Sequence, residues 1–141
     1  MQATTALAPA PRALALAGRA LAALPVPFLL FDGAIKLFDI TPVLASFTEL
    51  GYPTHLARAI GIVELACLAL YVVPRTAVLG ALLLTAFLGG ATAAKVRLED
   101  PWFLFSIAIG VWLWVPLYVR DARLRELVPM RARSDERVVR R

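Results

Sequence analysis

The stretch TAVLGALLLTAFLGGATAA, residues 76–94, gives the strongest indication of the fold, because none of its 19 residues is charged. A helix needs about 20 mostly apolar residues to cross the ~30 Å hydrocarbon core of a bilayer. Three further apolar stretches approach that length, at residues 13–38, 56–73 and 101–119. The sequence therefore predicts an all-α protein, a membrane-embedded bundle of four helices.

The composition agrees with a bilayer environment. Hydrophobic residues make up 60% of the 141 positions, and the mean hydropathy is +0.75. A soluble domain has roughly 45–50% apolar residues. We expect one transmembrane domain over residues 13–128, with a flexible tail at residues 1–12, a basic tail at residues 129–141 and no separate soluble catalytic domain.

A short helix is predicted between the first and second spans. Thr41 is a potential N-cap with Pro42 in the first turn, and Gly51 and Pro53 end the segment. Its apolar residues share one face and are Val43, Leu44, Phe47 and Leu50. This spacing predicts an amphipathic helix that lies in the membrane interface.

The distribution of basic residues predicts the orientation. With four spans, the side that holds both termini carries 11 Lys and Arg residues, and the opposite side carries four. Because short cytoplasmic loops are enriched in Lys and Arg, we expect a multi-pass protein of the cell membrane with both termini in the cytoplasm.

The first stretch has an alternative interpretation as a cleaved signal peptide, since it is rich in alanine and close to the N-terminus. Two features favour a span instead. Arg19 interrupts the apolar segment that a signal peptide needs, and the apolar run continues to Asp32 and Lys36.

Three of the charged residues in the predicted spans are spaced so that they could meet inside the membrane. Asp32 follows Arg19 by 13 residues, roughly 20 Å along a helix at 1.5 Å per residue, and Lys36 follows Asp32 at the i, i+4 spacing of an ion pair. Glu64 lies at a matching depth on the second span, about 13 Å below His55. We predict that Asp32, Lys36 and Glu64 meet.

The third predicted span carries a polar stripe at helical spacing. Thr85, Gly89, Thr92 and Lys95 form it, and Arg97 follows at the end of the span. The geometry allows one pocket in which Asp32 and Glu64 meet two bases, Lys36 and Lys95. Placing a charge in a membrane costs free energy, so charged side chains there normally pair with one another. Two interpretations stay open: a binding site that faces the outer surface, or an electrically neutral cluster whose only role is to fix the register of the helices.

Several site classes are excluded by composition. The chain has one histidine, His55, and one cysteine, Cys67, so one chain cannot form a bis-histidine haem site, a histidine-based metal site or a disulfide. The pI of 10.1 arises largely from eight Arg residues at positions 120–141. We expect this tail to contact anionic lipid and predict no nucleic-acid partner.

Five short motifs in order resemble the DoxX-like family of small integral membrane proteins. They are FLLFDGAIKL (28–37), ELGYP (49–53), GIVELA (61–66), PRTA (74–77) and GGAT (89–92). The resemblance implies a four-helix membrane bundle and, as in some relatives, a subunit of a quinone-linked or thiol-linked oxidoreductase assembly. Where relatives often have a histidine near the end of the third span, this chain has Lys95, which replaces a group that titrates near neutral pH with a cation.

Three functions follow as hypotheses. In the first, the protein binds a quinone or another lipophilic small molecule, without a covalent cofactor, for an oxidoreductase partner; Lys95, Thr92, Thr85 and Arg97 are the candidate ligand-binding residues. In the second, it is a membrane enzyme in which Asp32 or Glu64 acts as acid or base and Lys36 holds the charge. In the third, it is a structural assembly subunit. A homo-oligomer is compatible with each.

Overall fold

The computed structural model describes residues 24–121 without a gap, together with residues 12, 13, 16, 20, 21 and 124. Within these residues the chain forms five α-helices: α1 (Pro25–Ile35), α2 (Thr41–Glu49), α3 (Leu56–Val72), α4 (Ala77–Arg97) and α5 (Phe103–Arg120). A short 3₁₀-helix, Lys36–Phe38, follows α1, and the described residues contain no strand. The prediction of an all-α protein is confirmed over this part of the chain. The predicted tails, apart from residue 12, lie outside the described residues.

Two of these helices, α4 and α5, are long and apolar enough to cross a membrane, with 21 and 18 residues. Helix α3 has 17 residues, which is the lower limit for a span. Helix α1 and the 3₁₀-helix form the second half of the first predicted span, 13–38, and most of residues 13–23 lie outside the described residues. The indole N–H of Trp112 on α5 donates a hydrogen bond to the Leu21 carbonyl at 2.8 Å, so Leu21 lies beside α5.

Helices α3, α4 and α5 pack around an apolar core. The phenol of Tyr71 on α3 donates a hydrogen bond of 2.9 Å to the Leu113 carbonyl on α5. Gly80 allows α4 to approach α3 closely, because a Cβ atom there would lie 2.2 Å from the Tyr71 backbone nitrogen. Other buried core residues are Leu29, Cys67, Leu68, Ala81, Leu84, Leu88 and Leu117.

The short helix α2 packs its apolar side against α3, where Val43 and Phe47 are buried together with Ala57. The predicted helix is present, but the prediction that Thr41 is its N-cap is wrong. Ile40 is the N-cap, and its carbonyl accepts the N–H of Val43 at 3.0 Å. Thr41 is already the first helical residue, and no side chain caps the helix.

Candidate functional site

An ion triad joins α1 to α3. The Lys36 ammonium donates hydrogen bonds to Asp32 Oδ2 at 2.5 Å and to Glu64 Oε2 at 2.6 Å. Exposure differs along the triad: the side chains of Asp32, Lys36 and Glu64 are 37%, 14% and 0% exposed. The predicted meeting of these three residues is therefore present, with the lysine between two carboxyl groups.

A close helix crossing brings the triad together. A Cβ atom on Gly61 of α3 would lie 2.8 Å from the Gly33 carbonyl oxygen and 2.8 Å from Lys36 Cβ. Glu64 lies three residues after Gly61 and therefore on the same face of α3. Because no side chain separates the two backbones here, Glu64 reaches Lys36 directly.

The triad leaves one polar atom unsatisfied. Glu64 Oε1 is buried and has no hydrogen-bond partner. The group contains two carboxyls and one ammonium, so with all three ionised it carries one excess negative charge. A buried excess charge and an unpaired oxygen are both unfavourable, and such groups are typical of functional sites rather than of packing alone.

A cavity of about 730 Å³ adjoins the exposed end of the triad. Its walls come from α1, α2, α4, α5 and Ile60 of α3, and most of its lining is apolar. The polar or charged residues that line it are Asp32, Lys36, Ser46, Tyr52, Lys95 and Ser106. Glu64 lies behind Lys36 and does not line the cavity. Asp32 and Lys36 thus connect the cavity to the buried carboxyl.

Aromatic side chains form the cavity wall between α1 and α5. The rings of Phe28 and Phe105 meet edge to face with centroids 5.0 Å apart, and Trp102 contacts Phe105 at 6.2 Å. All three residues line the cavity and are exposed. Phe87 lies inside, with its ring centroid 5.8 Å from Lys36 Nζ. We call Phe28, Trp102 and Phe105 the aromatic wall.

Lys95 lines the same cavity but does not join the triad. Its ammonium donates a hydrogen bond of 2.9 Å to Asp100 Oδ2. The chain reverses after α4 through Glu99, which has a left-handed φ of 55°, and this turn returns Asp100 to Lys95. Two hydrogen bonds lower the pKa of Asp100 from its ordinary value of 3.8. The one from Lys95 has the larger effect, and the one from the Trp102 N–H has the smaller. The prediction that two bases meet the two acids is therefore wrong.

Thr85 and Thr92 lie in a different place from the cavity. They line a separate cleft of about 300 Å³ on the α4–α5 side, together with Gly89 and Trp114. Each hydroxyl donates to a carbonyl one turn earlier in α4, and Thr85 Oγ1 also accepts the Trp114 indole N–H at 2.9 Å. The expected shared pocket is wrong for these two residues, because the rotation of α4 turns them toward α5.

Two contacts tie the ends of α2 to the other helices. Before α2, the Asp39 carboxylate accepts a hydrogen bond from the Arg58 guanidinium on α3. After α2, the Leu50 carbonyl accepts one from Arg97 at the end of α4. Arg97, a predicted ligand-binding residue, does not line the cavity. The hydrogen bond of Arg97 instead ties the end of α2 to the end of α4.

Some cavity residues were missed from the sequence although a signal was present. Phe28 precedes Asp32 by four residues and therefore shares its helix face. Ser106 is a buried hydroxyl residue within the apolar helix α5 and lines both the cavity and the cleft. Within the described residues, no group of three or more His, Cys, Asp or Glu side chains is placed to hold a metal ion.

The comparisons with known proteins agree with the motifs. The model of the DoxX-like family matches residues 20–118, a range that contains the triad and every residue that lines the cavity. No curated protein and no solved structure matches the chain. The family match confirms the resemblance carried by the short motifs. The chain is a membrane protein of the DoxX-like family.

Proposed function

We propose that this protein binds a quinone or a similar lipophilic small molecule in the cavity and serves as a membrane subunit of an oxidoreductase system. The observation that carries the proposal is the 730 Å³ cavity with apolar walls and charged residues at Asp32, Lys36 and Lys95. Sites for small molecules commonly have volumes of about 300–1,000 Å³, apolar linings and a few polar groups that orient the ligand.

The cavity fits a substituted aromatic or quinonoid ring. Phe47, Phe87 and the aromatic wall offer ring faces and edges, and aromatic pairs gain about 0.5–1.5 kcal/mol beyond the burial of their area. The ammonium of Lys95 and the hydroxyl residues of the lining supply donors for ring oxygens. A lipid-soluble ligand also agrees with the membrane location of the family.

A four-span topology is part of the proposal. The first span would end with α1 and the 3₁₀-helix, and α3, α4 and α5 would form the other three, with α2 in the interface over the cavity. The bias of Lys and Arg supports a cytoplasmic location for both termini. The cavity then opens in the outer half of the membrane, and a partner enzyme on that side could reach the ligand.

Ligand retention tests the proposal. The protein is purified in mild detergent from its native membrane, and the extracted lipids are analysed for quinones and hydroquinones by mass spectrometry. Ala91 lines the cavity, whereas Ala93 is exposed on the same helix, so Ala91→Phe and Ala93→Phe form a matched pair. We expect wild type and Ala93→Phe to retain quinone in similar amounts and Ala91→Phe to lose most of it.

Chemical cross-linking in the same membranes tests the partner. An oxidoreductase cross-linked to the wild-type chain supports the subunit role. The absence of both quinone and hydroquinone from the wild-type protein, together with the absence of any cross-linked oxidoreductase, would overturn the proposed function.

A further inference from the structure

The triad determines which kind of polar group the cavity offers at its Asp32 end. Two hydrogen bonds of Lys36 are used by Asp32 and Glu64, and the Phe87 ring lies beside the ammonium. Lys36 is only 14% exposed, whereas Asp32 is 37% exposed and is bonded through Oδ2 alone. The group that a ligand meets first at this end is therefore a carboxyl oxygen, which is a hydrogen-bond acceptor.

We propose that the cavity selects aromatic ligands that carry a hydroxyl group, of the phenol or hydroquinone class, and that Asp32 accepts the hydroxyl hydrogen. The inference rests on the proposed function, since it assigns the ligand class and the specificity-determining residue of the same cavity. A hydroquinone has two O–H donors, whereas the corresponding quinone has only carbonyl acceptors.

The charges of the triad favour the same class. Two carboxyl groups face one ammonium, and Glu64 Oε1 is buried without a partner, so with all three groups ionised the cluster has more negative than positive charge and more acceptors than donors. A ligand O–H supplies a donor to Asp32. If a quinone bound there, its carbonyl oxygen would face the carboxyl oxygen of Asp32. Both atoms are acceptors, so neither would gain a hydrogen bond, which is unfavourable away from water.

The other cavity groups are compatible with this orientation. Lys95 is held by Asp100, and its ammonium retains further N–H donors for a second ring oxygen. The hydroxyls of Tyr52 and Ser106 can donate or accept. Since these groups accommodate either oxidation state, the discrimination between hydroquinone and quinone falls to Asp32.

Three probes with the same ring separate the possibilities: tetramethylhydroquinone, its dimethyl ether and tetramethylquinone. Binding is measured under anaerobic conditions as the excess of each probe in nanodiscs that contain the protein over protein-free nanodiscs, which corrects for partition into lipid. We expect the hydroquinone to bind at least about tenfold more tightly than the ether and the quinone, as for one hydrogen bond to a charged acceptor.

The outcomes separate the inference from the proposed function. If the quinone binds as tightly as the hydroquinone or more tightly, or if the ether equals the hydroquinone, the inference is overturned while a ligand-binding cavity remains. If none of the three probes binds, both the inference and the proposed function are overturned. These measurements use the wild-type protein and do not depend on the folding of a variant.

A matched pair of substitutions assigns the preference to Asp32. Asp32→Asn removes the charge and adds an N–H₂ donor, so the preference for hydroquinone over quinone should fall at least about fivefold. Asp39→Asn removes a carboxylate that lies outside the cavity and pairs with Arg58, and it should leave the preference unchanged. An equal loss in both variants, or no loss in Asp32→Asn, would overturn the role of Asp32.

Discussion

Alanine at Gly61 tests whether the close crossing of α1 and α3 holds the triad together. The added Cβ atom would lie 2.8 Å from the Gly33 carbonyl oxygen and from Lys36 Cβ, while ordinary contact begins at 3.4 Å. The two helices must therefore separate by about 0.6 Å. Gly33 contributes a backbone atom, so rotation of a side chain cannot relieve the contact.

The magnitude follows from two opposing effects. Overpacking of this kind typically costs about 1–3 kcal/mol, and replacement of a helical glycine by alanine contributes about 1 kcal/mol in favour of the helix. Gly89→Ala is the matched control, because a Cβ atom at Gly89 meets nothing within 4 Å. Since the helix-propensity gain is similar in both variants, Gly61→Ala should be less stable than Gly89→Ala by about 1–3 kcal/mol.

The free energy of unfolding is measured by titration with SDS in mixed micelles and followed by far-UV circular dichroism. Gly89→Ala should equal or exceed wild type. A Gly61→Ala protein as stable as Gly89→Ala would refute the idea that direct backbone contact positions Glu64 against Lys36.

Three further predictions concern individual side chains. Lys36→Met leaves the carboxyl groups of Asp32 and Glu64 without their shared cation. It should lower the free energy of unfolding by about 3–5 kcal/mol, the usual cost of breaking a buried ion pair. Wild-type stability in the same SDS titration would contradict this prediction. Tyr71→Phe removes the hydrogen bond to the Leu113 carbonyl and should cost about 0.5–1.5 kcal/mol, whereas a neutral result would show that the bond contributes nothing. Because folding lowers the pKa of Asp100 below 3.8, its contact with Lys95 stabilises the turn above that pH and is lost as the pH falls through the lowered value. Carboxyl carbon chemical shifts measure this titration by NMR, and a midpoint at or above 3.8 would be inconsistent with the contact.

The sequence predicted the features that follow from helical periodicity. Asp32 and Lys36 pair because residues four apart share a helix face, and Glu64 joins them because two neighbouring helices place charges at a similar depth. The short helix over Thr41–Glu49 was expected from its apolar face and from the glycine and proline that follow it. The pair of Asp32 and Lys36 and the short helix follow from local signals, whereas the contact with Glu64 also required the predicted order of the spans.

The remaining details depend on packing that periodicity does not encode. Helix α4 is apolar on nearly all sides, so its sequence did not indicate that Thr85 and Thr92 face α5. Lys95 pairs with Asp100 because the backbone of Glu99 enters the left-handed region, which a sequence rule for glycine or asparagine does not anticipate. The cavity itself arises from five helices together and has no signature in any one of them.

The aromatic wall has a consequence for the size of ligand that the protein can accept. Phe28, Trp102 and Phe105 line the cavity and are themselves exposed, so aromatic side chains rather than backbone form this side of it. A molecule whose ring occupies the cavity could pass a long hydrocarbon tail between these rings into the bilayer. The protein would then recognise the head group, and its affinity would not depend on the length of the tail. Ligands with the same head group and different tails would bind equally well.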